Sequence, residues 1–282
     1  MLLGYGTWGM PKVAIDQALK GIAELGYDGV ELSVTPGWCT ELYSLDHDER
    51  QRIRRLIKQH ELKLTAIAGH ASMCAEDPAA DQRNMQRLRD GIDCALELAQ
   101  GDETAILMST VGGTPDTWEA VRERIVARVG ELARYAQERG VVLAVEPHCA
   151  SALNLPERAI WLLDQVSAPN VGLNFDISHM DVMGISIDEC VPVLAPRSVS
   201  THVKDQRGRY PYHEFLTPGE GSFDFVHYLR VMHAAGYDGD IVVEVSVMVQ
   251  ARPDYDPFAH AALAYRTLAG AFEQAGAPRG KR

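Results

Sequence analysis

The sequence is poor in several features that would each have directed its reading. No two of its five cysteines form a Cys-x-x-Cys pair, and Cys39, Cys74, Cys94, Cys149 and Cys190 are scattered and odd in number. That gives no sign of a disulfide framework and suits reduced thiols in a cytoplasmic protein. Cys149 reads as a packing residue rather than a nucleophile. No apolar run approaches the roughly 18 residues that cross a bilayer, so no membrane span is expected. The start, MLLGYGTWGMPK, shows no charged segment leading into an apolar core, so no signal peptide is expected. No long basic run occurs, and the formal charge of −12 opposes a nucleic-acid partner, which needs a positive surface. Neither GxGxxG nor GxxxxGK[ST] is present; the glycine-rich TVGGTP at 110–115 has neither spacing.

What is there is ordinary globular material: 282 residues, 46% hydrophobic and 23% charged. Short β-rich runs alternate with amphipathic helical patterns. The strand candidates are 2–8, 27–33, 62–70, 103–109, 141–147, 170–176, 197–205 and 239–246. Helical patterns follow at 13–25 (with Pro11 near its start), 46–60, 83–100, 116–140, 156–166, less regularly within 179–194, then 225–237 and 258–276. Eight β-then-α units without an internal linker predict an α/β fold, a single (β/α)8 TIM barrel over 1–276, with 277–282 a flexible basic tail. The segment between the seventh strand and its helix reads as a long loop whose Arg, Tyr and His cover a pocket or make an oligomer contact.

The chemistry lies where the strands end. VVLAV at 141–145 is the most apolar of them, yet it runs into Glu146 and His148, which a period of two places on one side. The pattern repeats: Glu31 ends the second strand and His70 the third. Asp176 ends the sixth, with His179 three residues on; the seventh carries His202 and Lys204, and the eighth Glu244. In a barrel these ends share one rim, where active sites sit. Buried carboxylates in such apolar runs repel one another unless a cation lies between them. Three oxygen donors and one imidazole suit Mn²⁺ first, with Mg²⁺, Co²⁺ or Zn²⁺ as alternatives. Glu146, Asp176, His202 and Glu244 are the expected ligands.

AVEPH, LNFDISH, THVKD, PGEG and VVEVS, in this order, resemble the xylose-isomerase-like sugar isomerase/epimerase superfamily over nearly the whole chain. The resemblance implies metal ligation by those four residues and acid/base work by Glu146 and Glu244. It implies substrate contact by His179. It also implies a small carbohydrate or cyclitol as substrate, and a homo-oligomer. Two positions depart from the epimerase pattern: Ala152 stands where a further glutamate is expected, and Gly208 where an arginine is, with Arg207 and Arg209 beside it. Glu-Pro-His at 146–148 is closer to the dehydratase and isomerase branch, and resembles the catalytic subunit of C-glycoside deglycosidases, which work with a small β subunit. The expected activity is therefore metal-dependent isomerisation or epimerisation of a keto-sugar or cyclitol through an enediolate. The alternatives are a lyase (inosose-type dehydratase or 3-keto-C-glycoside deglycosidase) using His148 as an extra acid/base, and, more remotely, a non-catalytic sugar-binding barrel. Lys204, Glu31, His70 and Arg207 are expected at the substrate with His179. The related AP endonucleases fit poorly, because Ser109 and His213-Glu214-Phe215 replace their expected ligands.

Overall fold

The computed structural model describes residues 1–101 and 103–280. In chain order the strands and helices are β1 (Leu2–Gly6), α1 (Ile15–Leu25), β2 (Gly29–Ser33), α2 (His47–Gln59), β3 (Lys63–Ala68), α3 (Pro78–Leu98), β4 (Ala105–Thr110), α4 (Trp118–Gln137), β5 (Val141–Glu146), α5 (Pro156–Val166), β6 (Val171–Asp176), α6 (Ile177–Val182), α7 (Ile187–Leu194), β7 (Ser198–Val203), β8 (Asp205–Arg209), β9 (Tyr212–Leu216), α8 (Phe225–Ala234), β10 (Asp240–Val243), α9 (Val247–Gln250) and α10 (Pro257–Ala275). Eight parallel strands close in the order β1-β10-β7-β6-β5-β4-β3-β2, and β8 and β9 form a separate antiparallel hairpin. This is a single TIM barrel.

The strands are apolar on both faces because both are covered. Leu107, Leu143, Val145 and Ile67 join the main core between barrel and helices, while Ala66, Ala68, Ile106, Met108 and Ala144 form a small separate cluster of the alternate positions. Helix starts follow local chemistry: Asp46, Asp77, Asp224 and Asp256 each accept backbone N–H bonds at the N-termini of α2, α3, α8 and α10. α1 ends at Gly26 with φ +98°, a left-handed turn that suits glycine.

Several expected boundaries move. Pro11 lies in a turn and α1 begins only at Ile15. α3 begins at Pro78 because Asp77 caps it, five residues before the amphipathic pattern becomes clear. Residues 179–194 belong to two helices, α6 and α7, separated at Gly184 (φ +83°). The basic tail is held down as far as Gly280: Arg279 Nε lies 2.8 Å from Asp28 Oδ2, and the Gly280 N–H donates to the Met1 carbonyl at 2.9 Å. The tail expected to be flexible from 277 makes these contacts as far as Gly280; its last two positions, 281 and 282, lie outside the described residues.

The expected long loop after β7 is instead ordered by a single carboxylate. Asp205 Oδ1 accepts from the N–H of Gln206 (3.0 Å) and Phe223 (3.1 Å), and Oδ2 from Gly219 (3.0 Å) and Gly221 (2.9 Å). A Cβ at position 221 would overlap the Asp205 carboxylate, so PGEG is glycine-rich to let backbone close around it. Asp205→Ala leaves four backbone donors without this acceptor at a site only 1% exposed. The expected loss is about 3 kcal/mol, read as a lowered urea midpoint; an unchanged midpoint would show that the loop holds itself.

Candidate metal centre

Four neighbouring staves of the barrel, β5, β6, β7 and β10, each bring one polar side chain to the same end. Glu146 and Asp176 are the last residues of β5 and β6, His202 is the penultimate residue of β7, and Glu244 follows β10 directly. Register explains the meeting: Asp176 pairs with His202, and His202 with Val242, two residues before Glu244. One donor atom from each of the four lies within 4.8 Å of the others, and all four residues are buried.

Each ligand candidate is itself held. His202 Nε2 donates to Glu31 Oε2 at 2.8 Å, which leaves Nδ1 turned to Glu146 Oε1 (3.2 Å) and Glu244 Oε2 (3.4 Å). A carboxylate behind an imidazole fixes its orientation and raises its basicity as a ligand. Asn174 Nδ2 donates to Glu146 Oε1 at 3.0 Å. Asp176 Oδ1 accepts from Ser178 N (2.9 Å) and Oγ (2.6 Å), so the same carboxylate that faces the ring caps α6. Its other oxygen, Oδ2, receives Lys204 Nζ and lies 3.4 Å from His179 Nε2; Lys204 Nζ also donates to Glu244 Oε2.

The charges explain one another. Burial alone would push the His202 imidazole down, but the Glu31 and Glu244 carboxylates outweigh it and hold the group well above its ordinary value. Burial would raise Glu244, and Lys204 and His202 instead hold it well below the carboxylate range; Asp176 is lowered in the same way by Lys204 and His179. Burial and then the neighbouring His148 push His179 down to about 3, and burial lowers His148 as well, which favours the neutral form of both rings. The ring thus carries an excess of negative charge and already draws one cation, the Lys204 ammonium, onto two of its oxygens. By its donor set and its demand for positive charge it fits a divalent metal.

Beside the ring lies a cleft of about 390 Å³ lined by Trp8, His70, Glu146, His148, His179, Lys204, Phe215, Glu244, Val247 and Met248 among others. Trp8 stacks on Trp38 at 4.1 Å between centroids and meets His70 edge-on at 5.2 Å. His148 and His179 lie 3.9 Å apart, and His179 packs edge-on against Phe215 at 5.1 Å. The β8–β9 hairpin therefore roofs the cleft with Phe215 and His213.

Of the residues expected at the substrate, His70, His179 and Lys204 line this cleft together with His148. Glu31 does not; it is buried behind His202. Arg207 does not either, because it is exposed on the hairpin and paired with Glu214 (Nε to Oε2, 2.8 Å). Gly208 has φ +79°, and a Cβ there would overlap the Tyr212 carbonyl, so the turn has no room for the arginine expected of epimerases. Ala152 is buried in the core. Burial pushes the Cys149 thiol up to about 11, in keeping with a packing role. Asn174 was not anticipated; its signal was its place two residues before Asp176, on the same strand face. Val247 and Met248 gave no signal, since nothing local marks a one-turn helix after a strand.

A family model described as xylose isomerase-like TIM barrel matches residues 19–267. An L-ribulose 3-epimerase from Methylomonas sp. (strain DH-1) is 23% identical over 235 residues, 81% of this chain and 77% of that protein. A solved D-psicose 3-epimerase, studied in the presence of D-fructose, superimposes with a TM-score of 0.80 at 16% identity, over 98% of this chain and all of that one. The IOLI protein with a bound zinc atom superimposes with a TM-score of 0.78 at 19% identity, over 98% of each chain. The extent of the family match, over most of an eight-stranded barrel, decides the matter: the chain belongs to the xylose isomerase-like TIM barrel family.

Proposed function

We propose that the protein is a divalent-metal-dependent isomerase or epimerase acting on a keto-sugar or cyclitol. The observation that carries this reading is the buried ring of Glu146, Asp176, His202 and Glu244, whose two glutamates stand at the ends of an arc of four staves. The L-ribulose and D-psicose 3-epimerases among the similar proteins support the substrate class, and the zinc atom of the IOLI protein supports a metal. Held by the four ring residues, a divalent cation (Mn²⁺ by preference) would polarise a substrate carbonyl and stabilise negative charge on its oxygen.

The chain's own groups move the protons. Glu146 and Glu244 approach the substrate from opposite ends of the arc. One removes the proton from the carbon next to the carbonyl, and the other supplies a proton to the opposite face, which inverts that carbon. Return to the neighbouring carbon would give an isomer. Asn174 keeps Glu146 aimed at the ring. His179, Lys204 and His70 offer polar hydrogens to substrate oxygens, and His148 stands beside His179 as a proton relay. Trp8 and Phe215 exclude water from the cleft. Elimination with His148 as acid is not part of the proposal, since two of the three similar proteins named are 3-epimerases and none is a lyase by name.

In D₂O, with ketohexoses, inososes and 3-keto-glycosides as substrates, the protein stripped by EDTA should be inactive. Restoring Mn²⁺, Mg²⁺, Co²⁺ or Zn²⁺ should give deuterium uptake at constant composition. Metal-independent turnover would sink the mechanism, and a product lighter by water or an aglycone would move the protein to the lyases. With metal content matched, Glu146→Gln and Glu244→Gln should each lower kcat by about 10²- to 10⁴-fold; retention of near-normal kcat would remove that residue from proton transfer. His202 holds a proton in the metal-free state because its value is raised, and a ligand imidazole must be unprotonated. Metal affinity should therefore rise with pH until His202's raised value is passed, with proton release visible by calorimetry in buffers of different ionisation enthalpy. Glu31→Gln should weaken binding about 10- to 100-fold; a pH-independent affinity would place His202 outside the ligand set.

A further inference from the structure

Lys204 occupies an unusual position for a side chain expected at the substrate. It is 3% exposed, and its ammonium bonds to Asp176 and Glu244, two of the four ring residues. Asp176 has no spare oxygen: Oδ1 is already taken by the Ser178 N–H and hydroxyl, so Oδ2, the oxygen that holds Lys204, is the one left for any other cation. On Glu244, Lys204 holds Oε2, the oxygen that also faces His202 Nδ1. The lysine therefore binds where a metal would bind. Among the described residues, the other ion-pair partners of the ring's three carboxylates are all histidines. A long flexible stem carries the charge, and Phe215, whose ring centroid is 5.5 Å from Nζ, offers an apolar and cation-attracting face on the cleft side.

We propose that Lys204 is a built-in cation that fills the ring in the metal-free protein and must be displaced toward the cleft and the Phe215 face for a divalent metal to load. The proposal rests on the reading of the ring as a metal centre. Lys204 then does two things in sequence. It keeps four buried carboxylates, Glu31, Glu146, Asp176 and Glu244, from facing one another with only His202 between them. It also sets the metal affinity, because each loading event must break two charged hydrogen bonds and leave an ammonium close to the incoming ion. A metal-loaded enzyme has that ammonium free on the cleft side, so loading and the arming of a substrate-binding cation are one event.

The test is Mn²⁺ binding to the full-length protein, by calorimetry and by electron paramagnetic resonance, with the thermal midpoint of the metal-free form measured alongside. Lys204→Met should bind Mn²⁺ about tenfold more tightly or better, because a unit positive charge next to the ion has gone. Its metal-free midpoint should fall, and the stabilisation on adding Mn²⁺ should grow. Arg207→Met, which removes a cation outside the ring, should leave the affinity within about twofold of wild type. Unchanged or weaker binding by Lys204→Met overturns the proposal, since it would show Lys204 supporting the ligands in the loaded state. If neither wild type nor Lys204→Met binds Mn²⁺, Mg²⁺, Co²⁺ or Zn²⁺, the metal centre itself falls. If Lys204→Met does not fold, crystals of wild type with and without Mn²⁺ decide: Nζ should leave Asp176 Oδ2 on loading, and a contact kept within about 3.2 Å overturns the proposal.

Discussion

Four carboxylates buried within reach of one imidazole and one ammonium form the constraint around which this end of the barrel is built. Charge taken out of water is unfavourable unless it is matched. Every neighbour of the ring can be understood as part of that matching. Glu31 and Glu146 flank His202 on its two nitrogens, Lys204 joins Asp176 to Glu244, Asn174 donates to Glu146, and Ser178 donates twice to Asp176. Remove the balance and the strand ends repel; keep it and four staves are tied together at the rim where chemistry can be done.

The arrangement also separates two tasks. The arc from β5 to β10 supplies the charged ring, whereas Trp8 stacked on Trp38, beyond β1 and β2, and Phe215 of the roofing hairpin give the cleft its apolar surfaces. A small polyol entering such a cleft meets most of its polar partners at the ring, with His70 beside Trp8 as a further one. That asymmetry orients the carbonyl toward the ring and leaves the remote end of the molecule to shape and exclusion of water. The same fold can therefore change substrate by altering the apolar wall without touching the proton-transfer groups.

The ring carboxylates were legible in the sequence because each interrupts an apolar strand near its end: VVLAV before Glu146, VGLNF before Asp176, DIVV before Glu244. An isolated carboxylate would mean little, but one per strand at corresponding ends has a geometric meaning once the strands are seen to close. What was not legible depends on contacts between distant strands. Glu31 sits 171 positions from His202, and only the closure of β1 and β2 beside β10 and β7 reveals that it supports an imidazole rather than a substrate. Arg207 misled for a related reason: Lys204, three residues before it, reaches the ring, but the β8–β9 hairpin carries Arg207 outward to Glu214. The hairpin itself was hidden because DQRGR and YHEFL are short and polar and lack the apolar alternation that marks a buried strand. Pro78 opens α3 directly behind its Asp77 cap, whereas Pro11 lies in a turn four residues before α1 begins at Ile15.

Lys204 and Asp205 are adjacent, and they look in opposite directions from the end of β7. One reaches into the ring; the other gathers the backbone of the segment that closes over the cleft. The roof and the floor of the site are thus cantilevered from the same dipeptide. A chimaera that borrows this roof from another barrel would need Asp205 together with Gly219 and Gly221, or the transplanted segment would lose its anchor. Because that anchor shares a peptide bond with Lys204, a poor fit above would be transmitted as a displaced charge below. Exchange of loops, the usual route by which barrels acquire new specificities, is here restricted to changes that stop short of this splice point.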